Sequence, residues 1–111
     1  MTNVLERLFE VIYSRKLMKG IDPEKSYVVN LLNNDDDKIL RKITEEATEI
    51  ILAVKDYKEE SDKKKIISEC ADLWFHTLVL LAKFDLKLED IFEELSRREG
   101  TSGLLEKSRR S

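Results

Sequence analysis

Apolar positions recur with the spacing of amphipathic helices along almost the whole chain, and no stretch alternates with the period of two typical of a strand. The pattern predicts a first helix over residues 4 to about 18, with Asn3 as its N-cap and Gly20 at its end. A short second helix, capped by Ser26, ends at the turn over residues 33–35. The apolar residues of these two helices are Leu5, Leu8, Phe9 and Ile12 in the first and Tyr27, Val28, Leu31 and Leu32 in the second.

Two longer helices follow, predicted over residues 37 to about 57 and from 61 or 62 to about 84. The charged turn over residues 58–60 is so short that the two helices must be antiparallel neighbours. A last helix begins near Leu88 and ends at Gly100, with Leu88, Ile91, Phe92 and Leu95 facing inward. The sequence therefore predicts an all-α fold, with a helical domain over residues 1–100 and a basic, polar tail over 101–111 that belongs to the same domain.

Composition narrows the class of protein. The 111 residues include 20 Lys or Arg and 23 Asp or Glu, and a net charge of -3 gives no basic field for nucleic acid. A single cysteine, Cys70, excludes an internal disulfide and a Cys-rich zinc site, and no signal-like segment opens the chain, so we expect a reducing cytoplasm. The longest apolar stretch, residues 73–82, contains His76 and Thr77 and is shorter than the roughly 20 residues of a membrane span, so no membrane partner is expected.

Acidic residues interrupt the apolar face of the helix predicted over residues 37 to about 57. At about 100° per residue, one sector that must face the core collects Ile39, Ile43, Ala47, Ile50 and Val54. Glu46 lies inside the edge of this sector, Glu49 lies one step further round near Lys42, and Glu45 points almost opposite its centre. The three glutamates are therefore not equivalent.

The second long helix is apolar in almost every direction from Leu73 onward, which predicts burial all round. Glu69, Asp72 and His76 lie at i, i+3 and i+7 and so form one narrow polar wedge in it. Burying unpaired carboxylates costs several kcal/mol each, so a cation must compensate them. Carboxylate oxygens converging from two helices are ligands that a hard cation such as Mg²⁺ prefers.

Other interpretations of these residues stay open. Glu45 is equally well explained as solvated surface, and the other carboxylates could be held in ion pairs with Lys42 or Arg41. His76 fits a hydrogen-bonded residue behind the ligands better than a ligand, because Mg²⁺ prefers oxygen. Cys70 reads as a small buried hydrophobe, and Trp74 and Phe75 as core or dimer interface.

The acidic pattern resembles the signature of the MazG-like superfamily of all-α nucleotide pyrophosphohydrolases. The matching residues are Lys42, Glu45, Glu46 and Glu49, followed by Glu69 and Asp72. Further features, spread from Leu5 through Arg109, resemble the phosphoribosyl-ATP pyrophosphatase family within it. They are Ser26-Tyr27, Asp72-Leu73 followed by His76, and a tail with Arg98, Ser102-Gly103, Glu106-Lys107 and Arg109.

The resemblance implies hydrolysis of phosphoribosyl-ATP to phosphoribosyl-AMP and pyrophosphate, the second step of histidine biosynthesis, in a helical homodimer. It implies Mg²⁺ bound by Glu46, Glu49, Glu69 and Asp72. With it, Glu45 or Glu46 becomes the candidate general base, and the cations assigned to substrate phosphates are Lys42, Arg98, Lys107 and Arg109. Ser26 and Tyr27 are candidates for contact with the base or ribose, although capping and packing explain them equally well.

Two competing functions remain. A house-cleaning nucleoside triphosphate pyrophosphohydrolase would share the metal site and the fold, and the tail from Ser102 to Arg109 is the feature that favours phosphoribosyl-ATP. A non-catalytic helical dimerisation module would explain the apolar helices but not the acidic wedge. Dimerisation itself has a physical basis, because two long helices that are apolar around much of their circumference need a second chain to cover them.

Overall fold

A computed structural model describes residues 3–18, 20, 22 and 26–100 of the chain. Over these residues the fold is all-α, as predicted, and contains no strand. The elements are α1 (Val4–Leu17), α2 (Tyr27–Asn33), α3 (Asp36–Lys55), a 3₁₀ turn (Glu60–Asp62), α4 (Lys63–Lys83) and α5 (Leu88–Gly100). Within this part of the chain, no helix combines the length and the apolar character needed to cross a membrane.

Helices α3 and α4 form the frame of the molecule and pack against each other as an antiparallel pair, as the short turn predicted. Asp62 fixes this turn, since its Oδ2 atom accepts hydrogen bonds from the main-chain nitrogens of Lys58 at 2.9 Å and Glu59 at 3.1 Å. The fixed turn holds the two helices in one register, and that register decides which acidic residues face each other.

Helices α1 and α2 pack on α4 and begin at the predicted caps. Asn3 Oδ1 accepts the main-chain N–H of Glu6 at 2.8 Å, and Ser26 Oγ accepts that of Val29 at 3.3 Å. Both side chains satisfy donors that a helix N-terminus leaves unpaired. The predicted caps of α1 and α2 are therefore confirmed, and the cap at Ser26 fixes the position of Tyr27 at the start of α2.

The core lies around the C-terminal half of α4 and receives side chains from all five helices. Its buried members are Ile12, Leu31, Ile39, Leu78, Val79, Leu81, Ala82 and Leu88. The predicted stripe of α1 contributes as expected, with Ile12 fully buried and Leu5, Leu8 and Phe9 packed against the core. This core holds α4 rigidly just beyond its acidic wedge.

Some residues predicted to face inward are exposed in the single chain. Trp74 is 59% exposed, Val54 52% and Leu95 55%, and Ile91 is exposed as well. The predictions that α4 is buried all round and that Val54, Ile91 and Leu95 lie in the core are therefore wrong for one protomer, and Trp74, predicted as core or dimer interface, is not in the core of the single chain. The other helices gather around the start of α3 and the end of α4, which leaves these apolar faces without a neighbour. Trp74, Ile91 and Leu95 line an open groove of about 350 Å³ between α4 and α5.

Candidate metal centre

Three of the predicted carboxylates meet between α3 and α4. Glu46 comes from α3, Glu69 and Asp72 come from successive turns of α4, and one carboxylate oxygen from each lies within 4.8 Å of the other two. We call these three residues the carboxylate cluster. The side chains of Glu46 and Glu69 are each only 13% exposed, whereas Asp72 lies at the exposed edge. The cluster thus has a buried side and a side open to a ligand.

The electrostatics of the cluster favour a cation. Burial raises the pKa of the Glu46 carboxyl, and the neighbouring charges of Asp72 and Glu69 raise it further, against a smaller opposing effect of His76. Like charges this close oppose each other's ionisation, and a divalent cation between them would remove that repulsion. Oxygen donors of this kind are a donor set that suits Mg²⁺.

The alternative that protein cations neutralise the cluster finds little support in the contacts. Lys42 Nζ pairs with Glu45 Oε2 at 3.5 Å rather than with a cluster member. Lys65 Nζ approaches Glu69 Oε1 at 3.5 Å, but the Lys65 side chain is 65% exposed, which makes this a weak surface pair. Among the described residues, the only ion-pair partner within 4.0 Å of the Glu46 carboxylate is the ring of His76, at 3.6 Å.

Two of the predicted glutamates lie outside the carboxylate cluster. Glu49 is exposed one helical turn beyond Glu46, where it lines a shallow cavity together with Asp62 and Lys65. Glu45 is also exposed and pairs with Lys42. The structure therefore brings together three of the four predicted metal ligands, and it leaves Glu45 at the solvent-facing margin of the site.

His76 lies beside the carboxylate cluster and is 6% exposed. Its Nδ1 atom lies 2.9 Å from the main-chain oxygen of Asp72 and 3.6 Å from Glu46 Oε1. Its Nε2 atom lies 2.6 Å from the hydroxyl of Tyr27. His76 is thus in contact with two cluster members and with α2 at the same time.

The contact between Tyr27 and His76 was not predicted. The two residues are 49 positions apart, and a helical pattern carries no information on pairing over such a separation. The Tyr27 ring also stacks on Phe75, with centroids 6.3 Å apart and planes 18° apart. Of the two candidates for base or ribose contact, Ser26 uses its hydroxyl oxygen as a helix cap, and Tyr27 uses its hydroxyl on His76.

The comparison with known proteins decides the family. The sequence profile that describes phosphoribosyl-ATP pyrophosphohydrolase matches residues 5–99 of the chain. The chain belongs to this family. A phosphoribosyl-ATP pyrophosphatase of Janthinobacterium sp. (strain Marseille) is 56% identical over 110 residues, which cover 99% of this chain and 97% of that relative. One from Ralstonia pickettii (strain 12J) is 54% identical over 114 residues, which cover 99% and 92%.

As a member of the phosphoribosyl-ATP pyrophosphohydrolase family, the chain has its carboxylate cluster, His76 and Tyr27 inside the matched region. Of the predicted phosphate-binding cations, the structure describes Lys42 and Arg98. Arg98 Nε donates to Glu94 Oε1 on α5 at 3.2 Å, and hydrogen bonds from Arg97 and then from Arg98 lower the pKa of Glu94 to about 2. Lys107 and Arg109 lie outside the described residues.

Proposed function

We propose that this chain hydrolyses phosphoribosyl-ATP to phosphoribosyl-AMP and pyrophosphate, the second step of histidine biosynthesis, with Mg²⁺ bound at the carboxylate cluster. Membership of the phosphoribosyl-ATP pyrophosphohydrolase family and relatives named phosphoribosyl-ATP pyrophosphatase support the substrate and the hydrolysis of a phosphoric anhydride. The observation that supports the metal is the convergence of three carboxylate oxygens within 4.8 Å from two helices. The single cysteine supports a reducing cytoplasm as the compartment.

In this proposal Glu46, Glu69 and Asp72 hold the metal, and Glu49, one turn along α3, joins them through water or by a change of rotamer. When bound, Mg²⁺ would neutralise phosphate charge and lower the pKa of a coordinated water. A carboxylate beside the ligands has to accept the proton of the attacking water, and the candidates are Glu45 and Glu46. Glu46 is occupied as a proposed metal ligand. We therefore propose exposed Glu45 as the general base.

Lys42 is the described cation best placed to orient substrate phosphates. Its ammonium group is partly exposed, pairs with Glu45, and is close enough to Glu46 and Tyr27 to oppose the rise that burial causes in the pKa of both. Arg98, Lys107 and Arg109 are proposed to complete the phosphate site from the C-terminal end of the chain. The half-exposed ring of Tyr27 offers an aromatic edge for the base, and Ser26 lies beside it.

We also propose that the chain acts as a homodimer. Large apolar side chains remain exposed along α3 and α4, including Leu40, Ile51, Val54, Ile67 and Trp74. Ile67 and Trp74 are seven residues apart and so lie on one face of α4, while Ile51 and Val54 share a face of α3. A second copy of the chain would cover these faces and complete a bundle around each metal centre.

The test is to incubate the purified chain with phosphoribosyl-ATP or with ordinary nucleoside triphosphates, with and without Mg²⁺, and to measure pyrophosphate. We expect Mg²⁺-dependent release from phosphoribosyl-ATP, and we expect Glu46→Ala and Asp72→Ala to reduce it at least about a hundredfold while the chain stays helical. Glu10→Gln, an exposed carboxylate on α1, is the matched control and should keep full activity.

Three results would count against the proposal. Full Mg²⁺-dependent activity in both Glu46→Ala and Asp72→Ala would show that the metal centre lies elsewhere. Faster turnover of ordinary triphosphates would assign the chain to the house-cleaning enzymes. No release from any triphosphate would favour a non-catalytic helical module.

A further inference from the structure

His76 is the single histidine of the chain, and both of its ring nitrogens are engaged. Among the residues that the structure describes, Nδ1 faces only acceptors: the main-chain oxygen of Asp72 at 2.9 Å and Glu46 Oε1 at 3.6 Å. Because a carbonyl or a carboxylate oxygen can only accept, Nδ1 carries the hydrogen and donates it to Asp72. Nε2 of the neutral ring is then a lone pair that needs a donor.

Tyr27 supplies that donor. Its hydroxyl lies 2.6 Å from Nε2, and its ring stands edge-on to the imidazole at 5.7 Å between centroids. Phe75 contacts both rings: it stacks on Tyr27 and meets His76 edge-on, with centroids 5.4 Å apart in the second pair. The main chain of Tyr27 is anchored as well, because Tyr27 is the first residue of α2 and follows the cap at Ser26. The imidazole is therefore fixed from both ends.

We propose that Tyr27 and His76 are positioning residues of the metal centre, with Tyr27 acting through His76. The Tyr27 hydroxyl holds Nε2 in place. This orients the Nδ1–H group between two proposed ligands, towards the main-chain oxygen of Asp72 and the carboxylate of Glu46. A ligand on α3 and a ligand on α4 are thereby held against the same ring. The proposal rests on the proposed function, since it supposes that a divalent cation occupies the carboxylate cluster.

A hydrogen-bonding group behind a metal ligand typically contributes 10- to 100-fold to metal affinity. Mn²⁺ is a suitable probe, because it also prefers carboxylate oxygen and is detected by electron paramagnetic resonance. We expect Tyr27→Phe to weaken Mn²⁺ binding about tenfold in the absence of substrate. Tyr13→Phe is the matched control, since it also deletes one hydroxyl, but one that donates to Asp85 beyond the end of α4. Its affinity should be unchanged.

A double-mutant cycle tests whether Tyr27 acts through His76. His76→Asn keeps an N–H donor near the position of Nδ1 but has no atom in the place of Nε2. We expect it to weaken Mn²⁺ binding about tenfold, and we expect Tyr27→Phe to have no further effect in the His76→Asn background. An equal loss from Tyr27→Phe in both backgrounds would overturn the proposal, because Tyr27 would then act independently of His76.

The single histidine permits a spectroscopic readout that does not depend on metal. In ¹⁵N-detected spectra of the metal-free chain, we expect the ring hydrogen on Nδ1 and a hydrogen-bonded Nε2. In Tyr27→Phe the Nε2 signal should move towards that of a free lone pair, and in Tyr13→Phe it should stay. A hydrogen on Nε2 in the unmodified chain, or an unchanged Mn²⁺ affinity in Tyr27→Phe, would overturn this inference alone. Absence of Mn²⁺ binding in the unmodified chain would overturn the proposed function together with it.

Discussion

At the scale of single residues, the environment of Glu46 that would favour the proposed metal lowers the stability of the metal-free fold. Its carboxyl is nearly buried beside two other carboxylates, and burial followed by these charges raises its pKa above the ordinary value. The folded chain therefore binds this proton more tightly than the unfolded chain does. The resulting contribution to stability is fully present below the ordinary carboxyl pKa and is lost as pH rises through the raised pKa of the folded state. At neutral pH the metal-free site is under electrostatic strain.

Replacing Glu46 by Gln removes the charge and keeps the shape, so we expect the metal-free variant to melt at least as high as the unmodified chain at neutral pH. This advantage should vanish at pH below the ordinary carboxyl pKa, where Glu46 is neutral in both states. With Mg²⁺ at a hundredfold excess over its Kd, the unmodified chain should gain about 2.7 kcal/mol and the variant should gain little. Thermal melts in chelator and in Mg²⁺, across pH, measure both effects.

The control for this experiment is Glu10→Gln, whose melting temperature should respond to Mg²⁺ as the unmodified chain does. A Glu46→Gln variant that retains the full Mg²⁺-dependent rise would show that the cation is bound elsewhere.

The helical pattern identified Glu46, Glu69, Asp72 and His76 because each is polar at an angle where its helix is apolar. It set Glu46 nearer to the core sector than Glu49, but it could not show whether the facing helix meets the turn of Glu46 or that of Glu49. Those two residues differ by about 4.5 Å along the helix axis, and the register between α3 and α4 decides which one faces Glu69 and Asp72. That register depends on the turn fixed by Asp62 and on packing, which a single-helix pattern does not contain.

At the scale of elements, α1 and α4 are joined at the end of α4 by a contact that sequence alone could not reveal. The Lys16 ammonium donates to the main-chain oxygen of Ala82 at 3.0 Å and to Asp85 Oδ1 at 2.6 Å. Asp85 adopts a left-handed conformation with φ +56°, and the N–H of Leu86 returns to the oxygen of Leu81 at 2.9 Å, which forms a Schellman-type helix end. Lys16 thus adds a charged donor to the carbonyl groups at the end of α4, including the main-chain oxygen of Lys83 at 3.4 Å.

We expect Lys16→Met to reduce the free energy of unfolding by about 1.5 kcal/mol, because it leaves a helix end without its charged donor while the methylene packing is largely kept. Urea denaturation measures the loss. Lys64→Met, at an exposed position in the first turn of α4, is the control and should stay within about 0.5 kcal/mol of the unmodified chain. An equal loss in the two variants would contradict the role of Lys16.

The same contact gives an acid signature. Hydrogen bonding and the charge of Lys16 lower the pKa of Asp85, so this pair stabilises the fold above the ordinary carboxyl pKa and loses its effect as pH falls through the lowered value. In Lys16→Met that component of the acid-induced loss of stability should be missing.

By contrast, the caps at Asn3 and Ser26 could be predicted from the sequence, since a cap and its donor are only three residues apart.

At the scale of the whole molecule, the exposed apolar faces of α3 and α4 are the feature that one chain leaves incomplete. The helical spacing of apolar residues showed correctly that these helices have wide apolar surfaces. Such spacing indicates that a surface is buried, but it does not show whether the same chain or a second chain covers it. For this reason Val54 was predicted to face the core and Trp74 to lie in the core or the dimer interface, and both are exposed in the protomer. The proposed metal centre lies along the same two helices, so assembly and activity should be coupled.

We expect the unmodified chain to sediment at twice the mass of one protomer, and Ile51→Arg to sediment as a monomer. Ile51 is 59% exposed in the single chain, so the folded protomer can accommodate an arginine at this position. In the proposed interface the same arginine would be a buried charge with no acidic group to pair with. Far-ultraviolet circular dichroism should stay helical while pyrophosphate release falls, because the two helices that carry the carboxylate cluster lose the chain that covers their apolar faces. Val11→Arg, equally exposed on α1 at 52%, should remain dimeric and active. A dimeric Ile51→Arg would place the interface on another face, and a monomeric but fully active variant would show that one chain suffices to build the site.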